Sequence, residues 1–467
     1  MNKNKTYAFN ISPLGEELNE FDGIKFVDKV KLLGIWFGRS GAARELKENW
    51  EGKINQLERT LAMWSRHRLT MFGKVLVIKV FGLSLFIYVM KSIGLPLTIL
   101  QRINKMFFSF IWKRNFKEGR TFERIKRKVL CTEVEEGGLN MIDIHAMQEC
   151  FMIKWCLKMI VDQNEKWTAL PKKYLESVGE VNAFLCDTSK EDFKGLNTIS
   201  SDFWKEALFS WIKHRGAVIF LGVEKARLSD LPIFNNKKLT YQGKCLHLEK
   251  VIRRGIFLVR DITYEDGTFI SLTDFLYKIG YYPRVALDHF TIINTLKNNL
   301  DQQNGGASDW QEKAKAAKAM KNQQIRRMIN DKDQNEEIPC GRRFWKRKLD
   351  CDVSDLYVES IKSTLEVKLK ELLFKIYHNI YPTNVILQKI GIKNTNKCDF
   401  CQEVDFIDHS LVNCIQLRQY WVLVLDYIQN ETNISVPNTT TNKLFGLKNT
   451  IVTKKVTKAR KRLILCF

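Results

Sequence analysis

The sequence offers no apolar core behind its first residues, MNKNKTYAFNISPLGEEL, so that stretch does not read as a secretory signal. Its longest apolar run, residues 80–90, is flanked by Lys79 and Lys91 and falls short of the roughly 20 residues a membrane-spanning helix needs. Both absences lead to the expectation of an intracellular chain, nuclear or cytoplasmic, with no membrane partner. Eleven cysteines in 467 residues are neither dense nor evenly spaced, which argues against a disulfide framework and for reduced thiols. The sequons at Asn430, Asn433 and Asn438 then read as a polar loop. There is no Walker A loop, no Gly-x-Ser-x-Gly elbow and no His-Glu-x-x-His pair. Nor is there an Asp-Asp pair in a strand-turn-strand setting to hold two Mg²⁺ ions about 3.5–4 Å apart, as a polymerase centre requires. No catalytic residue can be nominated, and no small-molecule substrate is evident.

What the chain does have is apolar mass and positive charge. A hydrophobic content of 45% over 467 residues supports two to four domains with real cores. Lys plus Arg exceed Asp plus Glu by 75 − 52 = +23, an excess that favours a polyanionic partner, with nucleic acid ahead of an acidic membrane. Residues 24–38 alternate apolar and polar and end in glycine, which predicts one or two short strands. Helical spacing starts near Arg44: Trp50, Ile54, Leu57, Leu61 and Trp64 share one face. Thr70 can cap a second helix that Gly94 and Pro96 stop, and a third follows with Ile99, Ile103, Phe107 and Phe110.

Gly137-Gly138 mark a turn, 141–160 resumes helical spacing, and 160–245 reads as mostly helical. A short β-type run at 256–259 precedes a small αβ element in which Ser271 and Asp274 form a helix-start signal. The stretch 301–341 is poor in large apolar residues and reads as a polar linker. A helical unit over 359–390 follows, Tyr420, Val424 and Tyr427 continue as a helix, and eight basic residues with no acidic one lie from Lys443 to the end. The fold class expected is therefore mainly α with minor β (α+β), in several domains.

The strongest chemical signal is Cys398-Asp-Phe-Cys401, seven residues, His409, four residues, Cys414. Three thiolates and an imidazole within 17 residues suit tetrahedral Zn²⁺. The Cys-x-x-Cys turn would give two ligands from one knuckle, and the His-x4-Cys spacing two from the first turns of a helix. Four protein ligands leave no open position, so the zinc is read as structural, contributing folding energy. Four unrelated residues in a reducing compartment, or a redox Cys-x-x-Cys, are the competing readings, and no βαβ pattern supports the latter.

A second signal is the segment 101–128, with ten basic and two acidic side chains among Phe107, Phe108, Phe110 and Trp112. Phosphate contacts are assigned to Arg102, Lys105, Lys113, Arg114, Lys117, Arg120, Arg124, Lys126, Arg127 and Lys128, with Arg68, Lys74, Arg342, Arg343, Lys346 and Arg347 added from neighbouring runs. The alternative is a solvated helix face whose aromatics are core. Trp50, Trp64 and Trp112 fit the core better than base stacking.

Several stretches in order, VKLLGIWFG (30–38), RLTMFGKVLVIKVFGLSLFIYVM, INKMFFSFIWKR, EEGGLNMIDI, FLVRDITYEDGTFISLTDFLYKIG and FKIYHNIYPTNVILQKIGIKNTNKCDFCQEVDFIDHSLVNCIQLRQYW, resemble the part of LINE-type, non-LTR retrotransposon reverse transcriptases that lies beyond the polymerase palm. The resemblance covers about residue 24 to the end. It implies that 1–43 are remnant strands from the end of a palm and 44–160 a helical thumb-like domain. It further implies a mostly helical connector at 161–300, the linker at 301–341, and a zinc-stabilised helical C-terminal domain at 342–467 with a basic tail. Family zinc ligands carry over onto Cys398, Cys401, His409 and Cys414, and RNA or an RNA–DNA duplex becomes the expected partner. Palm and catalytic aspartates would lie upstream of Met1, so polymerase activity is not expected of this chain on its own. The resulting expectation is a nucleic-acid-binding reverse-transcriptase fragment. The alternatives are a working part of an RNA-directed DNA polymerase whose palm is supplied separately, and a decayed transposon remnant or protein-interaction module.

Overall fold

The computed structural model describes residues 8, 20–21, 24–38, 43, 46–112, 123–219, 228–299, 310–333, 340–349 and 352–445. Lys113, Arg114, Lys117, Arg120 and the basic run after residue 445 lie outside them. The fold is mainly α, and the strands among the described residues form three two-stranded sheets. Two units are each assembled from three chain segments: 1–51, 87–100 and 144–335 in one, 52–86, 101–143 and 336–467 in the other.

In the first unit, strands Lys29–Leu32 and Ile35–Gly38 pair antiparallel, with Leu32 opposite Ile35. Leu33 and Gly34 turn the chain with φ of 48° and 84°, the two-residue geometry that matches strand twist. The core of this unit is the helix Ile144–Val161, which packs on helix Asp202–Ile219. A helix apolar on nearly every side has nowhere to go but the interior. Within it Glu149 is buried, yet the imidazoles of His145 and His214 hold its carboxyl well below the usual range against the opposing effect of burial. The segment 160–245 is helical at Ala169–Leu175 and Asp202–Ile219, with short 3₁₀ turns and a small hairpin, Thr240–Tyr241 with Lys244–Cys245. Ser271 caps helix Leu272–Ile279 as expected, its Oγ accepting from the Asp274 N–H at 3.1 Å.

The stretch read as a polar linker contains two helices, Trp310–Ala319 and Asn322–Asp333, that pack on Ile144–Val161. Ala314, Ala317, Ile325 and Ile329 are buried there, and Lys154 Nζ donates to the carbonyls of Lys318 and Met320. Small alanines let helices approach closely, so a segment poor in large apolar residues still enters the core.

In the second unit, Ile54, Leu57 and Leu61 of helix Glu51–Ser65 are fully buried, as the periodicity predicts. Thr70 Oγ1 accepts from the Gly73 N–H at 3.1 Å and starts the next helix. The helical stretch runs on past Phe86 into residues of the first unit, 23 residues over Met71–Ile93, and with mean hydropathy 1.9 over its most apolar 18 it is, by length and composition, long and apolar enough to cross a membrane. The apolar run 80–90 understated it, because the helix extends through Lys74 and Lys79. Val75, Ile78, Leu83 and Phe86 are buried within protein. A π-turn at Ile78–Leu83 brings Gly82 against Phe107 and Leu57, where a Cβ would come within 2.9 Å of the Phe107 ring. Ile103, Phe107, Phe108 and Phe110 of helix Leu97–Ile111 are core residues.

The later segment of this unit forms helices Cys340–Leu349, Ser354–Ser363, Val367–Tyr377, Asn384–Lys389, Arg418–Thr432 and Thr440–Phe445. Trp345 is fully buried, and its indole N–H lies 3.0 Å from the carbonyls of both Ile376 and Tyr377. The Gly137-Gly138 turn meets the end of helix Val367–Tyr377: the Gly137 carbonyl accepts from His378 Nε2 at 2.6 Å, and a Cβ on Gly137 would stand 2.9 Å from the Tyr377 ring. Gly137 also has φ +88°, and a Cβ on Gly138 would fall 2.0 Å from the Thr132 carbonyl oxygen.

Gly138→Ala should therefore destabilise this unit by about 2–4 kcal/mol, since backbone cannot give way as a side chain can. Urea unfolding followed by tryptophan fluorescence measures it, and an unchanged midpoint would contradict the geometry. Burial lowers the pKa of His378 to about 4, and the Gly137 carbonyl only partly offsets this. The unfolded chain binds the proton near pH 6.5, so His378 contributes full stability above that pH and loses it as pH falls toward 4. The difference in unfolding free energy between wild type and His378→Gln should vary over that window by up to about 1.4 kcal/mol per pH unit, and be flat above pH 7.

Candidate metal centre

The chain before the first cysteine turns back on itself: Lys397 bridges Val404, the Cys398 N–H donates to the Glu403 carbonyl at 2.7 Å, and Gln402 takes φ 65°. This knuckle sets Cys398 and Cys401 side by side. His409 follows, in a π-turn His409–Asn413, and the Cys414 N–H donates to the His409 carbonyl at 3.0 Å. The second ligand pair thus sits on a π-turn that precedes helix Arg418–Thr432, not in the first turns of an α-helix. The wider turn carries two ligands five residues apart to one point.

The four ligand atoms all lie within 4.8 Å of one another. Cys398 and Cys414 Sγ are 3.9 Å apart, Cys414 and Cys401 Sγ 4.0 Å, and Cys401 Sγ is 3.2 Å from His409 Nε2. A tetrahedron with Zn–S bonds near 2.3 Å has S···S edges of about 3.8 Å, so donor set and spacing both fit zinc. Cys398, His409 and Cys414 are buried and Cys401 is partly so. Burial opposes ionisation of Cys398, but backbone N–H groups of Phe400 and Cys401 outweigh it and bring the thiol down to about 7. The backbone hydrogen bond from Glu403 favours the ionised form of Cys401, but burial and the neighbouring Cys398 and Cys414 sulfurs together push that thiol up. A dication among these sulfurs relieves that repulsion, and bound zinc would clamp the knuckle to the π-turn.

The supporting residues escaped the sequence reading. Asp405 is buried, and its carboxylate accepts from the Asn384 N–H at 2.8 Å, while Asn384 Nδ2 donates to the Lys397 carbonyl at 2.8 Å. Glu403 Oε2 stands 3.4 Å from His409 Nδ1, where a carboxylate orients a ligating imidazole. Trp421 Nε1 donates to the Leu411 carbonyl at 3.0 Å. Only the Asn384 position at a helix start behind Thr383 could have been flagged from sequence.

The described basic candidates all fall in the same unit as this centre. Arg68, Arg102, Lys105, Lys126, Arg127, Lys128, Arg343, Lys346 and Arg347 are exposed. Arg343, Lys346 and Arg347 stand on one face of helix Cys340–Leu349, opposite buried Trp345. Arg127 pairs with Glu123 and lies 4.5 Å from the centroid of the Phe108 ring. Arg342 pairs with Asp352, and Arg124 is half-buried with a guanidinium N–H 3.2 Å from the Ile380 carbonyl. Lys74 must be withdrawn as a phosphate contact: it is 4% exposed and its ammonium donates to the Ile111 carbonyl at 2.7 Å. The phenylalanines at 107, 108 and 110 are likewise core, not base-stacking platforms, because the helix turns its aromatic face inward.

One zinc per chain is the expected result of elemental analysis on the protein, falling to near zero in Cys398→Ser and His409→Gln with a lowered melting temperature. Asp405→Ala should keep one zinc yet lose about 1–3 kcal/mol, the cost of orphaning the Asn384 N–H. Loss of metal in that variant would show that the aspartate acts on the ligands rather than on the backbone.

Comparison with known proteins bears on this segment. Residues 337–421 match a family described as zinc-binding in reverse transcriptase. The chain is also similar to a protein of Arabidopsis thaliana named "Putative ribonuclease H protein", at 25% identity over 136 residues, which is 29% of this chain. That alignment spans 22% of the relative's length. The segment that holds Cys398, Cys401, His409 and Cys414 is therefore of the reverse-transcriptase zinc-binding type.

Proposed function

We propose that this chain is part of a retrotransposon-derived reverse transcriptase of the LINE type. In this reading it works inside the cell by binding RNA or an RNA–DNA duplex through basic helices, one unit being held together by structural zinc. The observation that carries the reading is the Cys₃His cluster within a segment matching reverse-transcriptase zinc-binding domains. Support comes from the +23 formal charge and from the exposed Arg343, Lys346 and Arg347 face, which belongs to that segment. Helices over 52–111 fill the thumb position in this proposal and grip the duplex backbone through Arg68, Arg102 and Lys105. Phosphate contacts of this kind carry no sequence information, so selectivity among RNA sequences should be weak.

Binding of a fluorescent RNA hairpin to the full chain, followed by anisotropy between about 50 and 200 mM salt, tests the proposal. Affinity should fall with a log–log slope of about −3 or steeper. Arg343→Ala/Lys346→Ala/Arg347→Ala should make that slope shallower by about 2–3. A flat salt response, or a triple variant with the wild-type slope, would sink the phosphate model.

A further inference from the structure

We infer that the end of helix Glu51–Ser65 carries a platform for unpaired RNA bases, built from His67, Trp64 and Phe81 with Arg66 and Arg68 beside it. This rests on the nucleic-acid reading above and names the feature of the substrate that these helices would hold. The helix closes in a turn: the N–H groups of Arg66 and His67 donate to the carbonyls of Met63 and Trp64 at 3.3 and 3.1 Å, and the Leu69 N–H donates to the His67 carbonyl at 2.9 Å. The turn sets the His67 ring on Trp64, with 5.5 Å between centroids, and leaves Arg66 and Arg68 one residue to either side of it. Phe81 reaches the same indole from the π-turn Ile78–Leu83, at 5.6 Å and 31° between ring planes. Within that turn Gly82 faces Phe107 and Leu57 in the core, while Val80 and Phe81 face outward, 51% and 46% exposed. π-turns inside helices often mark functional positions. His67 is exposed, and Trp64, expected in the core, is half-buried, whereas Trp50 is 1% exposed.

Charge decides what three touching rings at a surface meet. From Arg59 to Ile111 the chain has eight lysines and arginines and no aspartate or glutamate. Glu58, the last acid before this run, stands six positions ahead of Trp64. Arg66 and Arg68 are exposed and make no ion pair among the described residues. Helix Val367–Tyr377, which meets this segment where Phe374 touches Phe72, adds three lysines and one glutamate, and that Glu371 is held by Lys375 at 3.1 Å. The local charge is therefore one-sided and favours a polyanion, and the rings select one with open, flat, apolar faces. Unpaired nucleotides supply both, with bases to stack on the rings and phosphates to meet the cations. A duplex keeps its base faces to itself and offers this site only phosphates. An anionic lipid surface has the charge but no flat faces, so it would accept a leucine at position 81 as readily as a ring. The Trp64 indole N–H has no acceptor among the described residues, so the fold by itself does not account for where this ring is held.

Anisotropy on the full chain, with a labelled blunt RNA hairpin and the same hairpin forked by about six unpaired uridines on each strand end, tests the platform. Wild type should bind the forked probe about fivefold or more tightly than the blunt one. His67→Ala/Phe81→Ala should bring the two probes within about twofold of each other and leave the blunt hairpin at its wild-type affinity, which also checks that the variant is folded. Phe81→Leu should lose most of the preference for the fork, and Phe81→Tyr should keep it, since the ring does the stacking. If the double variant keeps the wild-type preference, or weakens both probes equally, the platform is refuted while the phosphate reading stands on the wild-type salt slope for the blunt hairpin. The same holds if wild type shows no preference for the fork. It holds also if Phe81→Leu binds the fork like wild type and the double variant instead loses binding to phosphatidylserine-containing vesicles. If wild type binds neither probe, both readings fall.

Discussion

One carbonyl does more for the metal-bearing unit than its size suggests. The Gly137 oxygen accepts the His378 imidazole proton across 241 positions of sequence, with Tyr377 against the glycine's missing side chain. Phe72 and Phe374 meet edge to face in the same unit, and Arg124 reaches the Ile380 carbonyl. These contacts fasten early helices to the late segment that contains the zinc ligands. Burial makes the bond demanding: an imidazole that cannot afford a proton must stay neutral and keep its partner.

The metal centre extends the same logic. Knuckle and π-turn are each too short to be stable by themselves, and the knuckle is tied through Asn384 to a buried carboxylate, Asp405. Zinc supplies the cross-link that a small apolar core around Trp345, Trp421 and Phe445 does not. Positive charge meanwhile collects on faces turned away from these anchors, as with Arg343, Lys346 and Arg347 opposite Trp345.

Legibility in the sequence followed the range of the interactions. Local signals were readable: the Trp50 to Leu61 stripe, the Thr70 and Ser271 caps, the strand pair in 24–38 and the four zinc ligands each depend on neighbours within about twenty residues. Features set by tertiary packing were not. Ala314 and Ala317 look like linker residues until the Ile144–Val161 helix is beside them, and Lys74 looks like a surface cation until the Ile111 carbonyl is found above it. The π-turn under His409 has no pattern of its own, because a Cys or His at that spacing fits either kind of turn. Asp405 was invisible for the same reason: its meaning lies in a partner brought from elsewhere.

The discontinuous make-up of the second unit sets an order on its assembly during synthesis. Residues 52–86 and 101–143 leave the ribosome nearly two hundred residues before 336–445 arrive, and cannot complete their core until then. The long segment 144–335 between them belongs to the other unit and can consolidate in the meantime. The waiting helices, including the apolar stretch from Met71 to Phe86, must be kept from aggregating through that interval. Speed of elongation and access to chaperones therefore bear on this chain's yield as much as its final stability does.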